Sequence, residues 1–182
     1  LIPLEDAQSI VLSHVAPTNL VEIPVWQAAG FPLAEDAVAD IDISPFANSA
    51  MDGYAVRAVD LAKASTDAPV TLSVVGHEAA GHVFEGVVGT GEAVRIMTGA
   101  PVPEGADAVV KYEIVEVLDG DGNEGSHVRF SAPAKVGENV RSAAEEAHAG
   151  DVVIHAGEVV APAGAGLLAS AGYASVKVNA AP

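Results

Sequence analysis

"RIMTGAPVPEGADAVVKYE", Arg95 to Glu113, leaves one apolar run through Thr98-Gly99, passes Pro101 and Pro103, and re-enters another at Ala108. Prolines flanking a turn fix its shape, and a glycine lets a ligand approach the backbone closely. Strand, stiff loop, strand is the signature of a β-rich chain. The loop itself has two readings. It is a rigid connection, or it holds a threonine hydroxyl and exposed amides ready for an oxyanion.

The same pattern continues outward. Val70–Val75, Ala93–Met97, Ala108–Leu118 and His127–Ala132 read as strands. "DVVIHAGEVV" (Asp151–Val160) reads as two short strands about a glycine turn, and "ASVKV" (Ala174–Val178) as a last strand. Helix is confined to two places. Pro3–Ala16 has proline in its first turn, Glu5 and Asp6 where the dipole favours anions, and Leu4, Ala7, Val11 and Val15 on one face, with Pro17 as its stop. Ala161–Ala171 is a smaller helix whose glycines weaken it. The predicted class is mainly β, with a minor α contribution.

Composition narrows the function. In 182 residues, 8 Lys and Arg face 25 Asp and Glu, for a formal charge of −17. Such a surface repels nucleic acid and anionic lipid, which argues against both as partners. The absence of cysteine removes disulfides, thiolate metal sites and a cysteine nucleophile. The opening "LIPLED" carries no basic charge, so no secretory signal is expected. The uncharged run Val159–Val176 reaches a span's length, but Pro162, Gly164, Gly166 and Gly172 mark it as a buried small-residue segment. A cytoplasmic protein is the expectation, and the ends of the chain suggest a piece of something longer.

Three patterns are decoys. "DGDGNEG" (Asp119–Gly125) begins like a calcium loop, but places Glu124 where glycine is needed and Phe130 where the final carboxylate belongs, so it reads as a hairpin turn. "HEAAGH" (His77–His82) is one residue too long for a helical zinc motif. "GVVGTG" (Gly86–Gly91) spaces its glycines wrongly for a dinucleotide fingerprint and reads as a loop entering the next strand.

Two further stretches share the character of the first. "PFANSAMDGYAV" (Pro45–Val56) sets Asp52 before a glycine; Asp-Gly is ordinary turn chemistry, which leaves the polar Asn48 and Ser49 unexplained. "GENVRSAAEE" (Gly137–Glu146) carries Arg141, one of four arginines. Arg57 and Arg95 flank the other two loops. In so acidic a chain these cations mark anion pockets or ordinary ion pairs, and the sequence leaves both open.

"SAMDGYAV" (Ser49–Val56) and "RIMTGAPVPEGADAVV" (Arg95–Val110) resemble the signature segments of the MoeA and gephyrin E-domain family, the molybdopterin molybdenumtransferases of molybdenum-cofactor biosynthesis. "LAEDAVADIDISPF" and "GENVR…GDVVIHAGEVVAPAGAGLLASAG" are similar to it in the same order, so the resemblance covers essentially the whole chain. It implies an enzyme that inserts molybdate's metal into adenylylated molybdopterin with release of AMP, assisted by Mg²⁺. It also implies an elongated homodimer whose cleft is completed by a molybdopterin-binding third domain of the partner, with a fourth domain beyond.

By the same resemblance Asp52 and Thr98 fall on catalytic positions, Asp52 either binding the divalent metal or orienting molybdate-bound water. Ser49, Gly99, Arg141 and Glu146 fall to substrate binding. The implied architecture is two interleaved β-rich domains: residues 39–150 inserted into a domain formed by 20–38 and 151–182, preceded by a helix (1–19) that packs on the third domain. One departure concerns the third loop. The family pattern Arg-x-x-Gly-Glu-Asp is here Arg141, two spacers, Ala144, Glu145 and Glu146, which puts the role of Glu146 in question. The expectation is an N-terminal part that turns over little alone. The alternatives are a non-catalytic scaffold or dimerisation module, and a tungsten-inserting paralogue.

Overall fold

A computed structural model describes residues 2–16, 18–79, 81 and 83–180. The predicted helix stop at Pro17 and the histidine His82 lie outside these residues. In chain order the elements are α1 (Leu4–Ser13), β1 (Leu20–Pro24), β2 (Ala37–Val38), β3 (Asn48–Ser49), β4 (Gly53–Val56), β5 (Val70–Glu78), β6 (Glu92–Ile96) and β7 (Ala108–Lys111). They continue with β8 (Glu116–Val117), β9 (His127–Phe130), β10 (Val140–Arg141), β11 (Val152–Ile154), α2 (Pro162–Ser170) and β12 (Ser175–Asn179). Short 3-10 turns occupy Val25–Gln27, Ala58–Leu61 and Tyr112–Ile114. The described residues are mostly β with two α-helices, as the sequence predicts.

It divides into two compact units, Ser44–Glu145 and Leu1–Ile43 with Glu146–Pro182. The first is built on a six-stranded sheet in the order β7-β4-β6-β5-β9-β8, antiparallel except for the β5–β6 pair. Both faces of its centre are covered. Tyr54, Val56, Ala93, Ala108 and Phe130 pack on one side, and Ala55, Val94, Ile96 and Val109 on the other. Successive strand residues point to opposite faces, so burial on both gives unbroken apolar runs such as "YAV" and "AVV".

The predicted strand Ala108–Leu118 stops at Lys111. Tyr112 turns out of the ladder, its amide donating to Asp52 O at 3.1 Å, and Val115 N closes the turn on Tyr112 O. The chain thereby crosses from β7 at one sheet edge to β8 at the other. Asp119–Gly125 then joins the antiparallel neighbours β8 and β9 as a hairpin connection, in agreement with the turn reading.

The second unit is thinner. β1 pairs with β12, and β2 with β11, each antiparallel. Val25, Ala28, Leu33, Leu168, Val176 and Val178 form its core. Of the two strands expected in "DVVIHAGEVV", the second reduces to one bridge between Val159 and Pro32, because proline has no N–H to extend a ladder. The run Val159–Val176 is not a buried segment throughout. It folds as α2 with Leu168 buried and much of the rest exposed. In α1 no residue is buried, and Leu4 and Val11 are exposed.

Candidate functional site

The three unusual stretches of sequence meet in the first unit. Ser49 N donates to Ala100 O at 3.0 Å and Gly99 N to Ser49 O at 2.8 Å, which ties the Asp52 loop to the Thr98 loop. On its other side β3 pairs with β10, placing Ser49 opposite Val140 and Asn48 opposite Arg141. Ala50 N then donates to Asn139 O at 2.9 Å. Asn139 holds φ +54 and its Nδ2 donates to Val109 O at 2.8 Å, so the third loop is anchored to β7. Sequence reasoning did not single out Asn139. Its available signal was residue type, since asparagine tolerates the left-handed region better than most.

At the junction, Asp52 Oδ1 accepts both the Thr98 amide and the Thr98 hydroxyl, each at 2.7 Å. The amide bond and then the hydroxyl bond hold the Asp52 carboxyl below its ordinary value, against an opposing effect of desolvation, with the charge of Arg95 the least of the causes. Among the described residues Oδ2 accepts no hydrogen bond, and the side chain is exposed. Gly53 is obligatory: a Cβ there would lie 2.1 Å from Val110 O. Glycine at this point lets β4 and β7 close while Asp52 leaves the sheet.

The remaining predicted residues are distributed differently. Ser49 is fully buried, and its hydroxyl donates to Met51 O. Gly99 is exposed at φ +82, beyond the reach of most side chains without strain. Arg141 is exposed and has no ion pair among the described residues. Arg57 instead donates to Thr90 Oγ1 and approaches Asp60 at 4.0 Å, so one of the three cations does serve as an ordinary pair. Glu146 belongs to the other unit, where its amide donates to Ile43 O and its side chain is exposed. Beside Thr98 and Gly99 opens a cleft of about 430 Å³, walled largely by apolar groups including Phe46, Val83, Met97 and Pro101.

A carboxylate fixed by one oxygen with the other open, next to a hydroxyl and an apolar cleft, is suited to orient a hard cation or a bound water. Residues 2–172 match the family model described as the MoeA N-terminal region (domain I and II). The chain belongs to the MoeA family. A molybdopterin molybdenumtransferase of Bacillus subtilis is 43% identical over 146 residues, 80% of this chain and 34% of that protein. One from Haemophilus influenzae is 40% identical over 178 residues, 97% of this chain and 42% of that protein. A crystal structure of a molybdopterin biosynthesis moeA protein from Pyrococcus horikoshii OT3 superposes with a TM-score of 0.89 at 32% identity, over 100% of this chain and 47% of that one. This MoeA chain thus spans less than half the length of each of these relatives.

No cluster of three potential metal-ligating side chains occurs among the described residues. Asp52 alone fits a Mg²⁺ ion, which commonly takes one or two carboxylates and fills its other positions with water or substrate. Among the described residues no helix is long and apolar enough to cross a membrane.

Proposed function

We propose that this chain is the N-terminal part of a molybdopterin molybdenumtransferase, inserting molybdate's metal into adenylylated molybdopterin with release of AMP. The observation that carries the reading is the Asp52–Thr98 pair, fixed by loops from three separate stretches of a chain in this family. In the reaction Asp52 stays ionised at neutral pH, since its carboxyl is held below the ordinary value. Its open Oδ2 accepts a proton-bearing ligand, such as molybdate-bound water, or contacts Mg²⁺, which when present would balance the charge of the oxyanion and the phosphates.

Thr98 locks the carboxylate's rotation, and its neighbour Gly99, whose amide is committed to Ser49 O, has no side chain to obstruct a ligand beside the cleft. Gly99 and Arg141 are the groups we assign to binding the anionic substrate; Arg141 brings an uncommitted guanidinium suited to phosphate. Ser49 contributes by holding the turn, and Glu146 is assigned to substrate binding. The working enzyme is a cytoplasmic homodimer in which further domains complete the site, and the apolar face of α1 packs on the third domain. These 182 residues alone are expected to turn over little or nothing.

The test is molybdenum incorporation into adenylylated molybdopterin by the full-length protein, comparing wild type with Asp52→Asn after verifying that both fold. Loss of a group acting in the transition state predicts a fall of about 100-fold or more in kcat. Unchanged insertion returns Asp52 to a structural turn. A full-length protein that folds and binds substrate but never inserts metal makes the scaffold reading the correct one.

A further inference from the structure

Arg95 is out of character for this chain. With 25 acidic residues available, a half-buried guanidinium would be expected to find a carboxylate, yet none of the ion pairs among the described residues includes it. Its Nη1 donates instead to Gly53 O, 3.1 Å away. Its guanidinium carbon lies 4.1 Å from the Tyr112 ring centroid and 5.2 Å from that of Tyr54. The two rings are themselves stacked, 6.1 Å apart.

Each of these contacts ends beside Asp52. Gly53 follows it, Tyr54 is one residue further, and the Tyr112 amide donates to Asp52 O. Arg95 also lies three residues before Thr98 on the strand that delivers it. One planar cation therefore spans both sides of the Asp52–Thr98 junction.

We infer that Arg95 is a positioning residue: stacked on Tyr112 and Tyr54 and bonded to Gly53 O, it fixes the separation at which Asp52 meets Thr98. This rests on the molybdenum-insertion reading only for its kinetic consequence, not for its geometry. Lysine cannot replace it. An ammonium supplies the charge, but neither the flat stacking surface nor the pre-oriented fork that holds ring and carbonyl together. The other charged or titratable groups near the junction are His77 and Glu78 on β5, opposite Arg95 and Ile96, Lys111 on β7, opposite Gly53, and Asp121, whose charge acts on Tyr54.

The experiment uses the full-length protein with Arg95→Met, Arg95→Lys and Tyr112→Leu, the last leaving the Tyr112 amide in place. Misplacement of a reacting group predicts a drop of about 10- to 100-fold in kcat for Arg95→Met. KM for adenylylated molybdopterin is expected to stay within about threefold, because ground-state binding is not what Arg95 supplies. Arg95→Lys should keep the acid limb of the pH profile near its wild-type position, yet leave kcat low. Full recovery with lysine would reduce Arg95 to a point charge and overturn the inference. So would a folded Arg95→Met enzyme with wild-type kcat.

If Arg95→Met does not fold, Tyr112→Leu decides, with a smaller loss of kcat expected and an unchanged value counting against the inference. Should wild type fail to insert metal at all, the proposed function falls but the geometry is still readable. Hydrogen exchange at the Thr98 amide, which is bonded to Asp52 Oδ1, then reports the junction directly, and its protection should fall in Tyr112→Leu and fall further in Arg95→Met. Protection unchanged in both refutes the positioning role.

Discussion

Asp52-Gly53 and Asp119-Gly120 lie in the same unit, both open turns, and in both the aspartate is held below its ordinary carboxyl value. Their partners differ. Asp119 uses Oδ1 on the His127 amide and Oδ2 on His127 Nδ1, eight residues along its own hairpin. Asp121 likewise places both oxygens on Asn123, two residues away. Asp52 puts one oxygen on two donors of Thr98, 46 residues distant, and leaves the other open. A carboxylate satisfied within its hairpin stabilises that hairpin. One fixed by a distant loop with spare capacity is oriented by the whole sheet toward something outside it.

The largest separation between the two turns should appear at their glycines. Alanine at Gly53 would place its Cβ against the Val110 backbone, which cannot move without opening β4 from β7. Alanine at Gly120, at φ +67, meets the terminal Oγ of Ser126, a buried hydroxyl that accepts the Gly122 amide. We expect Gly53→Ala to cost about 3 kcal/mol or more through overpacking. Gly120→Ala should cost less, about 2 kcal/mol, for its left-handed backbone and the displaced Ser126 hydroxyl. Urea unfolding of the two variants measures both, and equal losses would erase the distinction drawn between the turns.

A smaller effect separates them in acid. For Asp52 the folded value is depressed, so its stabilising contribution is present above the unfolded carboxyl pKa and is lost as pH falls through the folded one. The same sign holds for Asp119, with His127 as the cause. Thr98→Val should raise the Asp52 midpoint only part of the way to its ordinary value, since the Thr98 amide contributes more than the hydroxyl and survives the change. Asp119 should not move. Carboxyl-carbon titration by NMR resolves the two, and a shift at Asp119 would show that the turns are coupled after all.

How much of this was legible beforehand follows from the range of each interaction. The strands β5, β6, β9 and β12 announce themselves through β-branched runs of adequate length. The strand β4 does not, because "GYAV" is short, begins with glycine and is buried on both faces, so no alternation marks it. The break at Tyr112 depends on a bond to Asp52, 60 positions earlier in the sequence, which no local window contains. Asp52 and Thr98 could be nominated separately as turn and loop residues. Resemblance to a family put them at one site, and the fold supplies the bond between them. Arg95 was visible as a rare cation, but its stacking on Tyr112 required the fold.

The third loop gives the finest comparison, between this sequence and the family pattern. Where that pattern has glycine, Ala144 adopts φ +56, one of two non-glycine residues in the left-handed region among the described residues, and its amide still donates to Ser44 O at 2.8 Å. The loop has kept the glycine conformation after losing the glycine. Holding alanine there costs about 1–2 kcal/mol. Restoring glycine relieves that strain but returns conformational freedom to the unfolded chain, worth about 0.4–1 kcal/mol in the opposite direction. Ala144→Gly should therefore stabilise by about 0–1.6 kcal/mol, the smallest change in stability predicted here. A urea midpoint that rises slightly supports a loop strained but intact. A falling midpoint would mean that the alanine methyl has acquired packing of its own, and that the loop has diverged in more than one residue.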